Sequence, residues 1–402
     1  MDQPYGSADA AFAASAAHIS AAKAGWFRAV GLPLVMGERD GAVFTDAYSG
    51  ARFFNCHSNG GLFNLGHRNP RVIAAVTEAL DSVDVGNHHL VSGHRAHLAE
   101  RLAATTDGAL PKVVFGGAGT EVMDAALKAV RAVTGRTTIV SVEGAYHGHT
   151  GLAVAASDPT YRDPFGIDLP GFVQVPFDDL AALDAAIDAD TAAVLIEPIP
   201  ATLGMPVPSD GYLEGIARIC ADRGAMLVLD EVQTGLGRTG EMWAYRHFGI
   251  TPDVLITGKG LSGGIYPMAA ALMSEEVHRV FEEHPFVHFS TYGGAEPGCA
   301  AALSVLDITE APGFLEQVRL TAERFEKGFI RMPFEFRGLG LMRGLGFAQE
   351  GAGMMAVQAL IRQGVFVVFA NHDDRAVQFL PPLILSDDET DEIVFRVETA
   401  FG

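Results

Sequence analysis

Lys259 stands between Gly258 and Gly260, a lone amine flanked by residues without side chains. An ammonium taken out of water gives up its proton more readily, and the neutral amine attacks carbonyl carbon. In solvent the same lysine is an ordinary salt-bridge partner. Asp230 and Glu231, followed by Val232, Gln233, Thr234 and Gly235, place carboxylates directly behind an apolar run. A carboxylate there needs a cation or a hydrogen-bond donor, and the plain alternative is that it caps the next turn. Gly116, Gly117, Ala118, Gly119 and Thr120 form a small-residue turn ahead of a helical stretch. Free backbone N–H groups and the positive end of the helix dipole hold an anion at such a place, a phosphate for example, although a glycine-rich turn alone is also only a tight turn. The stretch Thr257-Gly258-Lys259-Gly260 is not a P-loop, because Gly260 replaces the hydroxyl residue and Asp253 stands where the leading glycine is required.

These residues act together only if a fold gathers them. Short apolar runs ended by glycine or a polar residue predict buried strands at Lys112 to Phe115, Thr137 to Val142, Ala192 to Ile196, Ala225 to Leu229 and Val254 to Thr257. Between them, Val122, Met123, Ala126, Leu127, Val130 and Val133 follow helical spacing from Thr120 to Val133, with Gly135 as the C-cap, and a second helix is predicted at Gly211 to Arg223. Alternation of strand and helix implies parallel pairing with right-handed crossovers, hence a layered α/β domain. In such sheets ligands bind outside the carboxyl ends of the strands, which is where the glycine turn, the carboxylates and the lysine all fall. After about Ala295 the pattern changes to helices at Pro297 to Ile308 and Gly313 to Phe329 and a glycine-punctuated strand region from Phe334 to Phe347. The expected division is an N-terminal segment, 1–50, packing with a small α+β domain, 296–402, and a large domain, 51–295. No fixed-period repeat or low-complexity linker interrupts it.

A phosphate cradle, a buried carboxylate and a solitary lysine on neighbouring strands fit one cofactor, pyridoxal 5'-phosphate: the lysine forms a Schiff base, the carboxylate keeps the ring nitrogen protonated and the helix start takes the phosphate. The residues also carry a family resemblance. Asn64 to Val72 (NLGHRNPRV), Gly117 to Glu121 (GAGTE), Gly144 to Thr150 (GAYHGHT), Ile196 to Ile199 (IEPI), Asp230 to Gly240 (DEVQTGLGRTG), Thr257 to Gly264 (TGKGLSGG), Ser290 to Gly294 (STYGG) and Phe379 to Leu383 (FLPPL) resemble, in this order, the motifs of the class III aminotransferases. These are fold type I pyridoxal-phosphate enzymes that include ornithine, putrescine and omega-amino-acid aminotransferases and glutamate-1-semialdehyde aminomutase.

The resemblance implies a mostly parallel seven-stranded central sheet, Lys259 as the Schiff-base lysine, Asp230 as partner of the ring nitrogen and Gln233 as donor to the ring's phenolic oxygen. It implies phosphate binding by Gly119 and Thr120, stacking of Tyr146 on the ring, and Glu197 orienting the neighbourhood of Asp230 and Gln233. Thr291 would reach the phosphate of a second subunit, so a homodimer is expected. Members that grip an α-carboxylate usually carry an arginine where this chain has Gln378, and often a glutamate where it has Thr202. Arg28 resembles a substrate-binding arginine of the aminomutase branch, and Arg343 and Arg375 are substitutes for it. A glutamine cannot replace the charge or the bidentate fork of an arginine. The expected donor is therefore a primary amine without an α-carboxylate, such as an omega-amino acid or a diamine, with a 2-oxo acid as acceptor. An aminomutase, an epimerase or an ammonia lyase is the alternative within the same family.

Composition sets outer limits. The 402 residues are 49% hydrophobic and 19% charged, as in a globular chain, and 28 Lys+Arg against 49 Asp+Glu give a formal charge of -21. That field repels phosphate backbones and anionic lipids, so neither nucleic acid nor membrane is an expected partner. Cys56, Cys220 and Cys299 form no disulfide framework or zinc spacing, and no secretory signal pattern leads the chain, which together suggest a cytoplasmic protein. His88, His89, His94 and His97 read as an ordinary loop-to-helix stretch, and His147 with His149 lacks the further ligands of a metal site.

Overall fold

The computed structural model describes residues 3–86 and 89–402, so His88 lies outside the described residues. In chain order the strands are β1 Met36–Asp40, β2 Val43–Asp46, β3 Arg52–Asn55, β4 Lys112–Gly116, β5 Thr138–Val142, β6 Phe172–Val175, β7 Thr191–Ile196, β8 Met226–Asp230, β9 Val254–Thr257, β10 Ala269–Met273, β11 Glu335–Leu339, β12 Met342–Gly346, β13 Val365–Phe366, β14 Val368–Phe369 and β15 Ala376–Phe379.

Seven of them form the central sheet, in the order β4-β10-β9-β8-β7-β5-β6. Strands β5 to β9 pair in parallel, while β10 is antiparallel to both β9 and β4, so the other six strands share one direction. Their carboxyl ends line up on one edge. Every residue of β7, β8, β9 and β10 is buried, because helices cover both faces and leave no polar side to the strands. Period two then sorts the side chains. Leu227, Leu229 and Leu255 enter one core with Leu98 and Trp243, whereas Met226, Val228, Val254 and Ile256 enter the opposite core with Met123 and Leu127.

The helices expected from periodicity appear at Gly119–Thr134, Tyr212–Arg223, Glu296–Thr309 and Phe314–Phe329. Gly135 ends the first at φ 67, its N–H donating to the Arg131 carbonyl. Three features differ from the reading of the sequence. The sheet is mostly parallel, as the resemblance implied, but the strand that departs from parallel pairing, β10, was not among the strands expected from the sequence. Its sequence, Ala269-Ala270-Ala271-Leu272-Met273, carries no strand propensity, and pairing on both edges makes it a strand. The edge strand β6 and the N-terminal strands were also not anticipated. β1, β2, β3 and β13 form a four-stranded sheet, in which Phe54 pairs in parallel with Val365. Leu32, Phe44 and Phe53 thereby share a core with Val318, Phe325 and Phe379. This sheet runs on to Asn55, beyond the expected limit at residue 50. A further four-stranded sheet, β11-β12-β15-β14, completes the C-terminal part. Among the described residues no single helix is long and apolar enough to cross a membrane.

Candidate active site

Strand β8 ends at Asp230, which pairs across the sheet with Ile256 of β9, and two residues past the end of β9 comes Lys259. Lys259 sits at φ 39, a left-handed geometry rare for a residue with a side chain, at the start of a short 3-10 turn, Lys259–Ser262. Another left-handed run, Ser58 to Gly61, packs against it. A methyl group placed on Gly60 would come 3.2 Å from Lys259 Cε and 3.5 Å from Gln233 Oε1, so the absence of a side chain at Gly60 is what lets this backbone close on the lysine.

The strand ends enclose a cavity of about 250 Å³ lined by Gly119, Thr120, Tyr146, His147, His149, Glu197, Asp230, Gln233 and Lys259, among others. Six of the residues singled out from the sequence thus converge with Lys259: Gly119, Thr120, Tyr146, Glu197, Asp230 and Gln233. A larger cleft of about 510 Å³ between His89, Arg95 and Phe286 lies apart from these groups. Burial lowers the pKa of Lys259, against the opposing attraction of Asp230 and Glu197. Burial raises that of Glu197, and the nearby Asp230 charge adds to it while His147 opposes it. One Glu197 oxygen accepts the Tyr146 backbone N–H at 3.1 Å, which fixes the loop carrying the aromatic ring. The Tyr146 ring meets those of His149 and Tyr161 edge-on, each at 5.1 Å.

His147 was passed over in the sequence and is central here. Its fully buried ring places Nδ1 2.9 Å from Asp230 Oδ2. An ionised carboxylate only accepts, so Nδ1 carries a proton toward Asp230, while Nε2 is buried without a partner. The other Asp230 oxygen accepts the Val232 N–H at 3.1 Å. The two carboxylates at the end of β8 therefore part company. Glu231 turns away from the cavity and accepts from Ala244 N at 2.6 Å, Tyr245 N at 2.8 Å and Thr234 Oγ1 at 3.2 Å, anchoring the turn Ala244–Phe248.

Burial pushes the Glu231 pKa up from 4.5 to about 7. The folded chain thus holds this proton to a higher pH than the unfolded chain does. Its contribution to stability is greatest below pH 4.5 and declines as pH rises to about 7, by roughly 3 kcal/mol. Urea unfolding of the wild type and of Glu231→Gln across that range should show the decline lessened in the variant; equal slopes would refute it. Glu197 titrates in the same sense in both proteins, so the difference isolates Glu231.

The remaining sequence candidates lie outside the cavity lining. Arg28 pairs with Asp9 at 2.6 Å and covers the Phe12 ring, half-exposed on an N-terminal helix. The Thr202 hydroxyl donates to the Gly144 carbonyl at 2.6 Å. Gln378 donates to the Phe369 carbonyl at 3.2 Å and faces the imidazole of His57, which burial holds down to about 4. Arg343 is taken up by Glu326 and by the Gly338 and Gly340 carbonyls, and Arg375 by Glu350 at 3.1 Å. Thr291 is exposed. Among the described residues no group of three His, Cys, Asp or Glu side chains is placed to hold a metal ion.

The family model of the class III aminotransferases matches residues 28–401. This chain belongs to that family. An uncharacterized aminotransferase of Archaeoglobus fulgidus is 46% identical to this aminotransferase over 382 residues, 94% of this chain and 90% of that one. The putrescine aminotransferase of Pectobacterium atrosepticum is 35% identical over 357 residues, 85% and 76% of the two chains. The structure of the ornithine aminotransferase of Toxoplasma gondii, with partial occupancy of pyridoxal phosphate at its active site, superposes with a TM-score of 0.85 at 27% identity, covering 92% of this chain and 90% of that one. Class III aminotransferases bind pyridoxal phosphate.

Proposed function

We propose that this aminotransferase uses pyridoxal phosphate held by Lys259 to move an amino group from a primary amine, an omega-amino acid or a diamine, to a 2-oxo acid. The observation that carries the reading is the convergence of a half-buried lysine and a buried aspartate, from adjacent strand ends, on one cavity whose third wall is a helix start. The residues fit the cofactor. Gln233 Oε1 is buried there without a partner, and Gly119 and Gly60 bring backbone close where a side chain would fill the space. The N–H groups of Gly119 and Thr120 at the helix start suit a phosphate, and Tyr146 supplies a flat apolar wall.

When bound, pyridoxal phosphate supplies the aldehyde that takes the amino group and the cationic ring that draws electrons from the reacting carbon. Asp230 would keep the bound ring protonated, and His147 holds Asp230 in place. Lys259 would hold the cofactor and, as a free amine, would move the proton that leaves the substrate carbon. Burial lowers the pKa of its ammonium, which favours the neutral amine that both tasks use.

The donor class is supported by what surrounds Gln378. His57 is neutral, Thr202 is committed to a carbonyl, and the three arginines singled out from the sequence, Arg28, Arg343 and Arg375, are each paired with a carboxylate, so none of these three offers a free guanidinium to grip an α-carboxylate. The similarity to a putrescine aminotransferase points the same way. Initial rates with 1,4-diaminobutane, 4-aminobutanoate and α-amino acids, each with pyruvate and 2-oxoglutarate, test this. A strong preference for α-amino acids would remove the proposed donor class, and turnover without any oxo acceptor would favour mutase or lyase chemistry.

We also infer a homodimer in which Thr291 completes the partner's site. Thr291 lies exposed in a loop with Phe286, Val287, Phe289 and Tyr292, and with Leu90 and Val91 these leave exposed apolar surface that water disfavours. A sedimenting mass of one chain would exclude it.

A further inference from the structure

Thr120 is tied into a chain of hydroxyls. Its Oγ1 lies 2.6 Å from Thr150 Oγ1, and it accepts the Thr150 backbone N–H at 3.3 Å. Thr150 Oγ1 in turn donates to Asp124 Oδ2 at 3.1 Å, and the other Asp124 oxygen accepts the Ala153 N–H at 2.8 Å. Each threonine hydroxyl has a single proton, and an ionised carboxylate only accepts. The Thr150 proton is therefore spent on Asp124. Between the two threonines only Thr120 has a proton left to give, so Thr120 donates to Thr150. The direction of the whole chain is set by Asp124, on the helix Gly119–Thr134 one turn beyond Thr120. Gly148 presses on the same hydroxyl: a methyl group there would lie 2.5 Å from Thr120 Oγ1.

We propose that Asp124 and Thr150 are positioning residues that weaken cofactor binding and speed cofactor exchange, by competing with the phosphate for the Thr120 proton. The proposal rests on the reading of Gly119 and Thr120 as the phosphate cradle. A phosphate oxygen is an acceptor, and so is Thr150 Oγ1; both draw on one proton, and whichever receives it deprives the other. Thr150 is exposed, so water replaces what it loses when the phosphate takes the proton, and the exchange is inexpensive in both directions.

The sign of the effect separates this from a merely structural role. Thr150→Val removes the competing acceptor, conserves shape and keeps the backbone N–H. Asp124→Asn keeps an oxygen for Ala153 N–H and turns an amide N–H toward Thr150, which frees the Thr150 proton for Thr120 and releases the Thr120 proton to the phosphate. Both variants should bind pyridoxal phosphate about five-fold more tightly, the worth of about one hydrogen bond, and lose it correspondingly more slowly. Thr150→Ser should behave as wild type. In a Thr120→Val background, Thr150→Val should change nothing.

The measurements are titration of the resolved apoprotein with pyridoxal phosphate, followed by protein fluorescence, and dilution of the holoenzyme to obtain the release rate. Unchanged or weaker binding by Thr150→Val, or a gain that persists without the Thr120 hydroxyl, overturns the proposal while leaving the site assignment intact. Failure of wild type and variants alike to bind pyridoxal phosphate overturns the site assignment and this proposal with it.

Discussion

Lys259→Ala is expected to lose transamination by about 10,000-fold or more, because one amine both anchors the cofactor and moves the proton of the chemical step. No neighbour can take over. Among the groups facing the cavity, Glu197, Asp230 and His147 are within the electrostatic reach of Lys259 or of one another, but none is an amine able to form the covalent link. A second readout needs no turnover. Borohydride reduction of the wild-type holoenzyme should leave the cofactor attached to the peptide carrying Lys259 when analysed by mass spectrometry, and the variant should yield no such adduct. Full turnover by the variant, or an adduct on another peptide in the wild type, would refute the assignment.

The second large effect is expected at Asp230. In Asp230→Asn the charge opposite the ring nitrogen goes while shape and hydrogen bonding can be kept. The Asn oxygen still serves Val232 N–H. Its amide N–H then points at His147 Nδ1, which can accept if the imidazole proton moves to Nε2, the ring atom that has no partner in the wild type. Cofactor affinity should therefore fall by less than about ten-fold, whereas the rate falls by roughly 1,000-fold as the developing negative charge loses its stabilised ring cation. Single-turnover rates at saturating cofactor measure this. A rate near wild type would mean that Asp230 does not sustain the ring charge.

Much of this site was legible because two local patterns point to one place. Continuous apolar runs mark strands buried on both faces, and the residue that ends such a run lies on the edge of the sheet shared with its parallel neighbours. That brought Asp230, Lys259 and the turn at Gly119 and Thr120 together on paper. His147 was not legible, because its partner Asp230 lies 83 residues away and nothing local in Tyr146-His147-Gly148-His149 says which ring turns inward. Asp230 and Glu231 were equally ambiguous as neighbours. They separate because successive positions at a strand end face opposite ways, one toward the cavity and the other toward the N–H groups of Ala244 and Tyr245. Arg28 was singled out from its sequence neighbourhood, and the fold holds it to Asp9 instead.

From residue order alone came the α/β layering, the four long helices and the family, since hydrophobic period, glycine stops and ordered motifs are properties of short stretches. Tertiary structure alone decided that β10 runs against its neighbours, that β3 joins β13, that His147 meets Asp230, and that Thr120 meets Thr150. Each of these is a choice of partner between segments far apart in the chain. Such choices are made by which surfaces must be buried together and which donors must find acceptors, and no window of sequence contains both sides of that bargain.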